Sequence, residues 1–160
     1  MTQGGKAVTS GKRFENNVER ILQGHGYVQV GHDLRRKQKL ECLLSSINLP
    51  KRYARQVHVG DGIYGTDIYV DFHLICSASF NSGLIIQCQS QQTSGSVDEK
   101  LPYLNLNIQD CYPAPTVVLL DGEGMKAGAI DWLKAQVGVN QKLLAVHNLT
   151  DFVAWANNNL

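Results

Sequence analysis

The stretch T-D-I-Y-V-D-F-H-L at 66–74, followed by N-S-G-L-I-I-Q-C-Q-S-Q at 81–91, decides the fold. In its first half Asp67, Tyr69, Asp71 and His73 alternate with Ile68, Val70, Phe72 and Leu74. That is the period of a strand with one polar and one apolar row. In the second half Ile85, Gln87, Gln89 and Gln91 share a row opposite Leu84, Ile86 and Cys88. Asn81-Ser82-Gly83 supplies the turn chemistry for an antiparallel pair, and Asp61-Gly62 with Gly65 does the same for a preceding strand. Strands are therefore predicted at 54–60, 66–75 and 83–90. In this register Asp71 and Gln87/Gln89 converge from adjacent strands, an arrangement that suits an oxygen-ligated cation or an ordinary solvated sheet surface. His73 reads as a strand-surface residue.

Upstream, Phe14, Val18, Ile21 and Leu22 form the stripe of an amphipathic helix from Gly11, capped by Ser10 and ended by Gly24 and Gly26. Residues 1–10, rich in Gly, Thr and Ser, are predicted to be loose. A short strand at Tyr27–Val30 follows. A helix over 33–48 then carries Leu34, Leu40, Leu43, Leu44 and Ile47 until Leu49-Pro50 stops it. Downstream, a helix over 96–108 starts at Ser94 or Ser96, with Asp98 and Glu99 in its first turn and Pro102 as a kink. A buried strand at 116–120, a helix at 126–137, a strand at Leu143–Val146 and a helix at 150–158 capped by Thr150 complete the chain. The order predicts one α/β domain over 11–160, with a mixed central sheet flanked by helices.

The chain has 160 residues, 43% of them hydrophobic and 18% charged, which fits a single globular domain. Its longest aliphatic runs, such as Val117–Leu120, fall far short of the ~20 residues that span a bilayer. The N-terminus has no apolar segment of the kind that directs secretion. Cys42, Cys76, Cys88 and Cys111 lack metal-site spacing and suit the reduced thiols of a cytoplasmic protein. Charge is uneven. Residues 1–60 hold eleven Lys/Arg against four Asp/Glu, and residues 61–160 hold four against ten. A phosphate-gripping surface beside a cation site has that distribution, and so do two solvated faces.

The motifs D-F-x-L at 71–74 and L-I-I-Q-C-Q-S-Q-Q-T-S-G-S-V-D-E-K-L-P-Y at 84–103 resemble the PD-(D/E)XK nuclease superfamily. More narrowly they resemble its small restriction-endonuclease-like members, whose second strand reads I-E-C-K-W-Q before S-G-S-V-D-E-K-x-P. G-K-R-F-E at 11–15 resembles the first helix of that family, whose Glu helps hold the metal. D-G-E-G at 121–124, A-x-x-W-L at 129–133 and D-F-V-A-W at 151–155 resemble its C-terminal elements. The resemblance covers 11–158, with the helix at 33–48 outside its strongest part.

The resemblance implies a restriction-endonuclease-like core (αβββαβ) and phosphodiester hydrolysis of DNA, RNA remaining open, in a restriction-like or mobile-element setting. It implies Mg²⁺ or Mn²⁺ held by Asp71, Gln87, the carbonyl of Cys88 and Glu15, with Asp71, Gln87, Gln89 and Glu15 as the catalytic set. Such a small chain cuts both strands by pairing, so a homodimer or higher homo-oligomer is expected. Two positions depart from the pattern. Gln87 stands where the family has Glu, and Gln89 where it has Lys. Losing one transition-state contact costs ~10²–10³ in rate. Glu99 and Lys100, with Asp98, are the candidate substitutes. The alternative is a nuclease-fold protein that binds nucleic acid and is catalytically weakened or inactive. Arg35, Arg36, Lys37, Lys39, Lys51, Arg52 and Arg55 are the candidates for phosphate contacts, against the reading of a plain solvated helix face.

Overall fold

In this computed structural model, which describes residues 3–76 and 78–160, the central strands are apolar on both faces, so helices must cover both. Six strands form one sheet in chain order: β1 (Val28–Gln29), β2 (Lys51–Asp61), β3 (Asp67–Cys76), β4 (Phe80–Ser90), β5 (Thr116–Asp121) and β6 (Leu143–His147). Strands β2, β3 and β4 make an antiparallel meander, and β1, β5 and β6 add in parallel. Helices α1 (Gln3–Gly24) and α5 (Leu149–Asn159) cover one face, where Phe14, Val18, Leu22 and Phe152 meet Phe72, Leu74, Ile86 and Leu119. Helices α2 (Lys39–Ser45), α3 (Val97–Asp110) and α4 (Ala127–Ala135) cover the other, where Leu43, Leu101, Ile108 and Leu133 meet Val57, Val70, Ile85 and Val118. The result is the mixed sheet flanked by helices that the residue pattern predicts. No helix among the described residues is long and apolar enough to cross a membrane.

Several boundaries differ. Helix α1 starts at Gln3, so the segment expected to be loose is helical from there. The helix expected over 33–48 is a 3-10 turn at Arg36–Gln38 and the seven residues of α2, leaving Leu34, Leu44 and Ile47 exposed. Arg52 explains the early end. Its buried guanidinium donates to the carbonyls of Leu43, Leu44 and Leu49, and the Ser45 and Ser46 hydroxyls donate to that of Cys42. The carbonyls of Leu43 and Leu44 are thus satisfied from outside the helix. Helix α3 runs through Pro102 as one element. Helix α5 is capped by Asn148, not Thr150: the Asn148 side chain accepts the Asp151 N–H at 2.8 Å.

His73 is not on the surface. It is 3% exposed, and neither ring nitrogen has a hydrogen-bond partner among the described residues. Gly83 lies against it so closely that a Cβ there would meet Nε2 at 2.6 Å. Burial holds His73 down from 6.5 to about 4. Protonation therefore favours the unfolded chain. This contribution is complete above pH 6.5 and is lost as the pH falls towards 4. Its full size is about 3 kcal/mol. Denaturant unfolding measured across that range should show the fall, and His73→Gln should shrink the slope whatever its stability at neutral pH.

Candidate active site

On β2, Ala54 and Val57 enter the same core although three residues apart, and on β3 Val70 joins that core while Phe72 lies in the opposite one. Strict alternation allows neither. The two strands kink together where Gln56 meets Asp71: Gln56 has φ 53°, and the regular pairing of Arg55 with Phe72 and Val57 with Val70 skips the rung between. Such irregularities re-aim a side chain out of the pleat. Pairing of β3 with β4 starts one residue further on, at Phe72 with Ile86.

Asp71 thus sits at a fork between three strands. Its carboxylate accepts the backbone N–H of Cys88 at 2.7 Å and the Gln56 amide at 3.1 Å, while its own N–H donates to Gln87 Oε1 at 3.3 Å. Burial raises Asp71 to about 7; the charge of Glu15 adds to the rise, and the Cys88 N–H, Gln56 and Arg55 pull it only part of the way back.

Glu15 comes from α1, on the opposite face of the sheet from α3. Arg55 binds it at 3.2 Å and binds Glu19 at 2.6 Å, with its guanidinium over the Phe72 ring. Glu19, one helical turn from Glu15, is a site neighbour that the motif reading missed. One guanidinium therefore faces the three carboxylates of Glu15, Glu19 and Asp71.

Gln87 and Gln89 lie towards α3, where they line a cavity of about 310 Å³ with Tyr69, Lys100, Tyr103 and Tyr112. The sequence-predicted set is therefore gathered around the edge of the fork: Asp71, Gln87 and Cys88 are in contact, Glu15 approaches from one side, and Gln89 with Lys100 lies on the other. Of the candidate substitutes only Lys100 lines this cavity; Glu99 is exposed elsewhere on α3. Asp98 is committed to structure, accepting the Lys126 N–H at 3.0 Å at the start of α4. Gln91 clips two loops together. Its amide oxygen accepts the Val97 N–H that opens α3, and its amide nitrogen donates to Gly124 O. The glycines of D-G-E-G make room for this: a Cβ at Gly122 would meet Gln91 O at 2.2 Å, and one at Gly124 would meet Thr93 O at 2.3 Å.

Four of the seven basic candidates for phosphate contacts serve the fold instead. Lys39 is buried with Nζ on Arg55 O at 2.7 Å, and that burial lowers its pKa. Lys51 donates to His25 O and Leu160 O, Arg52 ends α2, and Arg55 holds the α1 acids. Arg35, Arg36 and Lys37 remain exposed. Arg36 lies 4.1 Å over the Tyr69 ring and Lys37 binds Asp67 at 2.9 Å, which places them at the rim of the Gln87/Gln89 cavity. His58, Asp61 and Asp67 form a trio with ligand atoms within 4.8 Å of one another. Asp67 is already bound there by Lys37 and His58.

Residues 6–160 match the family model of the PD-(D/E)XK nuclease superfamily domain. The chain belongs to this superfamily. No curated protein and no solved structure matches it. Members of the superfamily are generally metal-dependent nucleases. The oxygen groups at this fork are the Asp71 carboxylate, the Gln87 amide oxygen and the Cys88 carbonyl, with Glu15 held by Arg55 on the α1 side, and the charge of Glu15 weighs more on Asp71 than that of Arg55.

Metal binding and nucleic-acid binding each test these assignments. Asp71→Asn should abolish Mg²⁺ or Mn²⁺ binding by calorimetry without loss of the circular dichroism signal. In the natural chain that affinity should weaken as the pH falls through about 7, because a proton then competes for the Asp71 carboxylate. In nucleic-acid binding, joint replacement of Arg35, Arg36 and Lys37 by Ala should flatten the salt dependence by about one unit per lost phosphate contact. Lys51→Ala, which removes an internal tether, should leave that slope unchanged.

Proposed function

We propose that the chain is a Mg²⁺- or Mn²⁺-dependent endonuclease that hydrolyses phosphodiester bonds of DNA, with Lys100 in place of the strand lysine. The observation that carries this reading is the position of Lys100, on the rim of one cavity with Gln87 and Gln89, beside the Asp71 fork. Glu15, Asp71, the Cys88 carbonyl and the Gln87 amide are the groups that hold the cation. When bound, the cation lowers the pKa of a water and neutralises the scissile phosphate. Gln89 orients the attacking water by hydrogen bonding, and Lys100 faces the charge that develops on phosphorus oxygens. The free state of all four cysteines suits a reducing cytoplasm.

A second reading has its own support. Gln87 and Gln89 are both neutral, so the strand itself supplies neither the second carboxylate nor the cation of an efficient site. Such a protein binds nucleic acid and cuts it slowly or not at all.

The double change Gln87→Glu and Gln89→Lys separates the two. Assayed on plasmid and single-stranded substrates in Mg²⁺ or Mn²⁺, the natural chain should cut weakly and the double variant about 10²-fold faster or more. Lys100→Ala should silence the natural chain and leave the double variant active. If neither form cuts any substrate, the binding reading replaces the enzyme.

A further inference from the structure

The hairpin between β2 and β3 presents Tyr64, which is 75% exposed. Its ring lies against that of Tyr103 on α3 at 5.0 Å between centroids and 21° between planes. The tip of the hairpin is pinned beneath it. Asn107 of α3 accepts the Ile63 N–H at 2.9 Å, and Gly62 packs so tightly there that a Cβ would meet Asn107 Oδ1 at 2.9 Å. An aromatic plane is thus held out on a fixed backbone, with one face supported and the other towards solvent.

Tyr103 also lines the Gln87/Gln89 cavity, and so does Tyr69, over which Arg36 lies at 4.1 Å. Aromatic planes therefore stand on two sides of a recess lined by Gln87, Gln89 and Lys100, with Arg36 and Lys37 at its rim. At about 310 Å³ the recess is at the small end of ligand pockets. Aromatic faces for bases, flanked by cations for the backbone, are what a single strand offers contacts to, whereas a duplex keeps its base faces stacked inside.

We infer that this face binds single-stranded nucleic acid, stacking an unpaired base on the exposed face of Tyr64. The inference rests on the nuclease reading and narrows its substrate to single strands or locally opened duplex. Fluorescence anisotropy in EDTA, where cleavage cannot intervene, tests it with three labelled DNA probes: a single strand, the same sequence as a duplex, and a strand of abasic residues. The single strand should bind more tightly than both other probes. Tyr64→Ala should weaken single-strand binding by about 5- to 150-fold, the range of one lost base–aromatic stack, while duplex binding stays unchanged. Tyr64→Trp should retain the preference. Equal affinity for strand and duplex, or an unaltered Tyr64→Ala variant, overturns the inference and leaves the nuclease reading standing. Absence of binding to all three probes overturns both.

Discussion

The hydrogen bond from the Cys88 N–H to the Asp71 carboxylate fixes everything of chemical interest in this fold. It spans two strands at the point where their regular pairing ends, so it substitutes for the ladder and holds the fork to a set width. Because the bond comes from the backbone, it does not depend on the side chain at position 89, while the Gln87 amide oxygen accepts the Asp71 N–H beside it. The backbone part of the site is thus separate from the Gln89 and Lys100 side chains that line the cavity.

The same separation explains the charge balance. Arg55 is placed by β2, reaches α1, and stabilises Glu15 and Glu19 without touching the cavity that holds Lys100. The two α1 acids thus approach the fork from the α1 side, and Lys100 from the α3 side. A buried carboxylate beside a second acid is unfavourable unless a proton or a cation compensates it, which accounts for the raised pKa of Asp71.

Much of the fold was legible because both rows of the central strands are written in the residue alternation, and the α1 stripe of Phe14, Val18 and Leu22 marks its buried face directly. The kink was not legible. It depends on Gln56 at positive φ, and glutamine carries no local signal for that conformation. Val70 and Phe72 were accordingly assigned to one row although they enter opposite cores. The length of α2 was hidden for a different reason: the group that ends it, Arg52, lies beyond the helix in sequence. The carbonyl partners of Lys39, Lys51 and Arg52 are likewise distant in sequence, so nothing local to these residues marks them as internal tethers. Asp71, Gln87 and Cys88 lie in contact because β3 and β4 are neighbours, which the turn chemistry of Asn81–Gly83 already signals. His73 was misread, since alternation gives the row of a residue but not what covers that row.

The two close-packed glycines of D-G-E-G have an evolutionary consequence. Gly122 and Gly124 admit the backbone at Gln91 and Thr93, and through Gln91 they set where α3 begins and hence where Lys100 stands. Selection for a folded chain removes side chains at these positions whether or not the protein cuts anything. The glycines can therefore outlive the residues that act on a phosphate. A lineage can change its chemistry, or lose it, while this part of its signature persists as an inheritance of architecture alone.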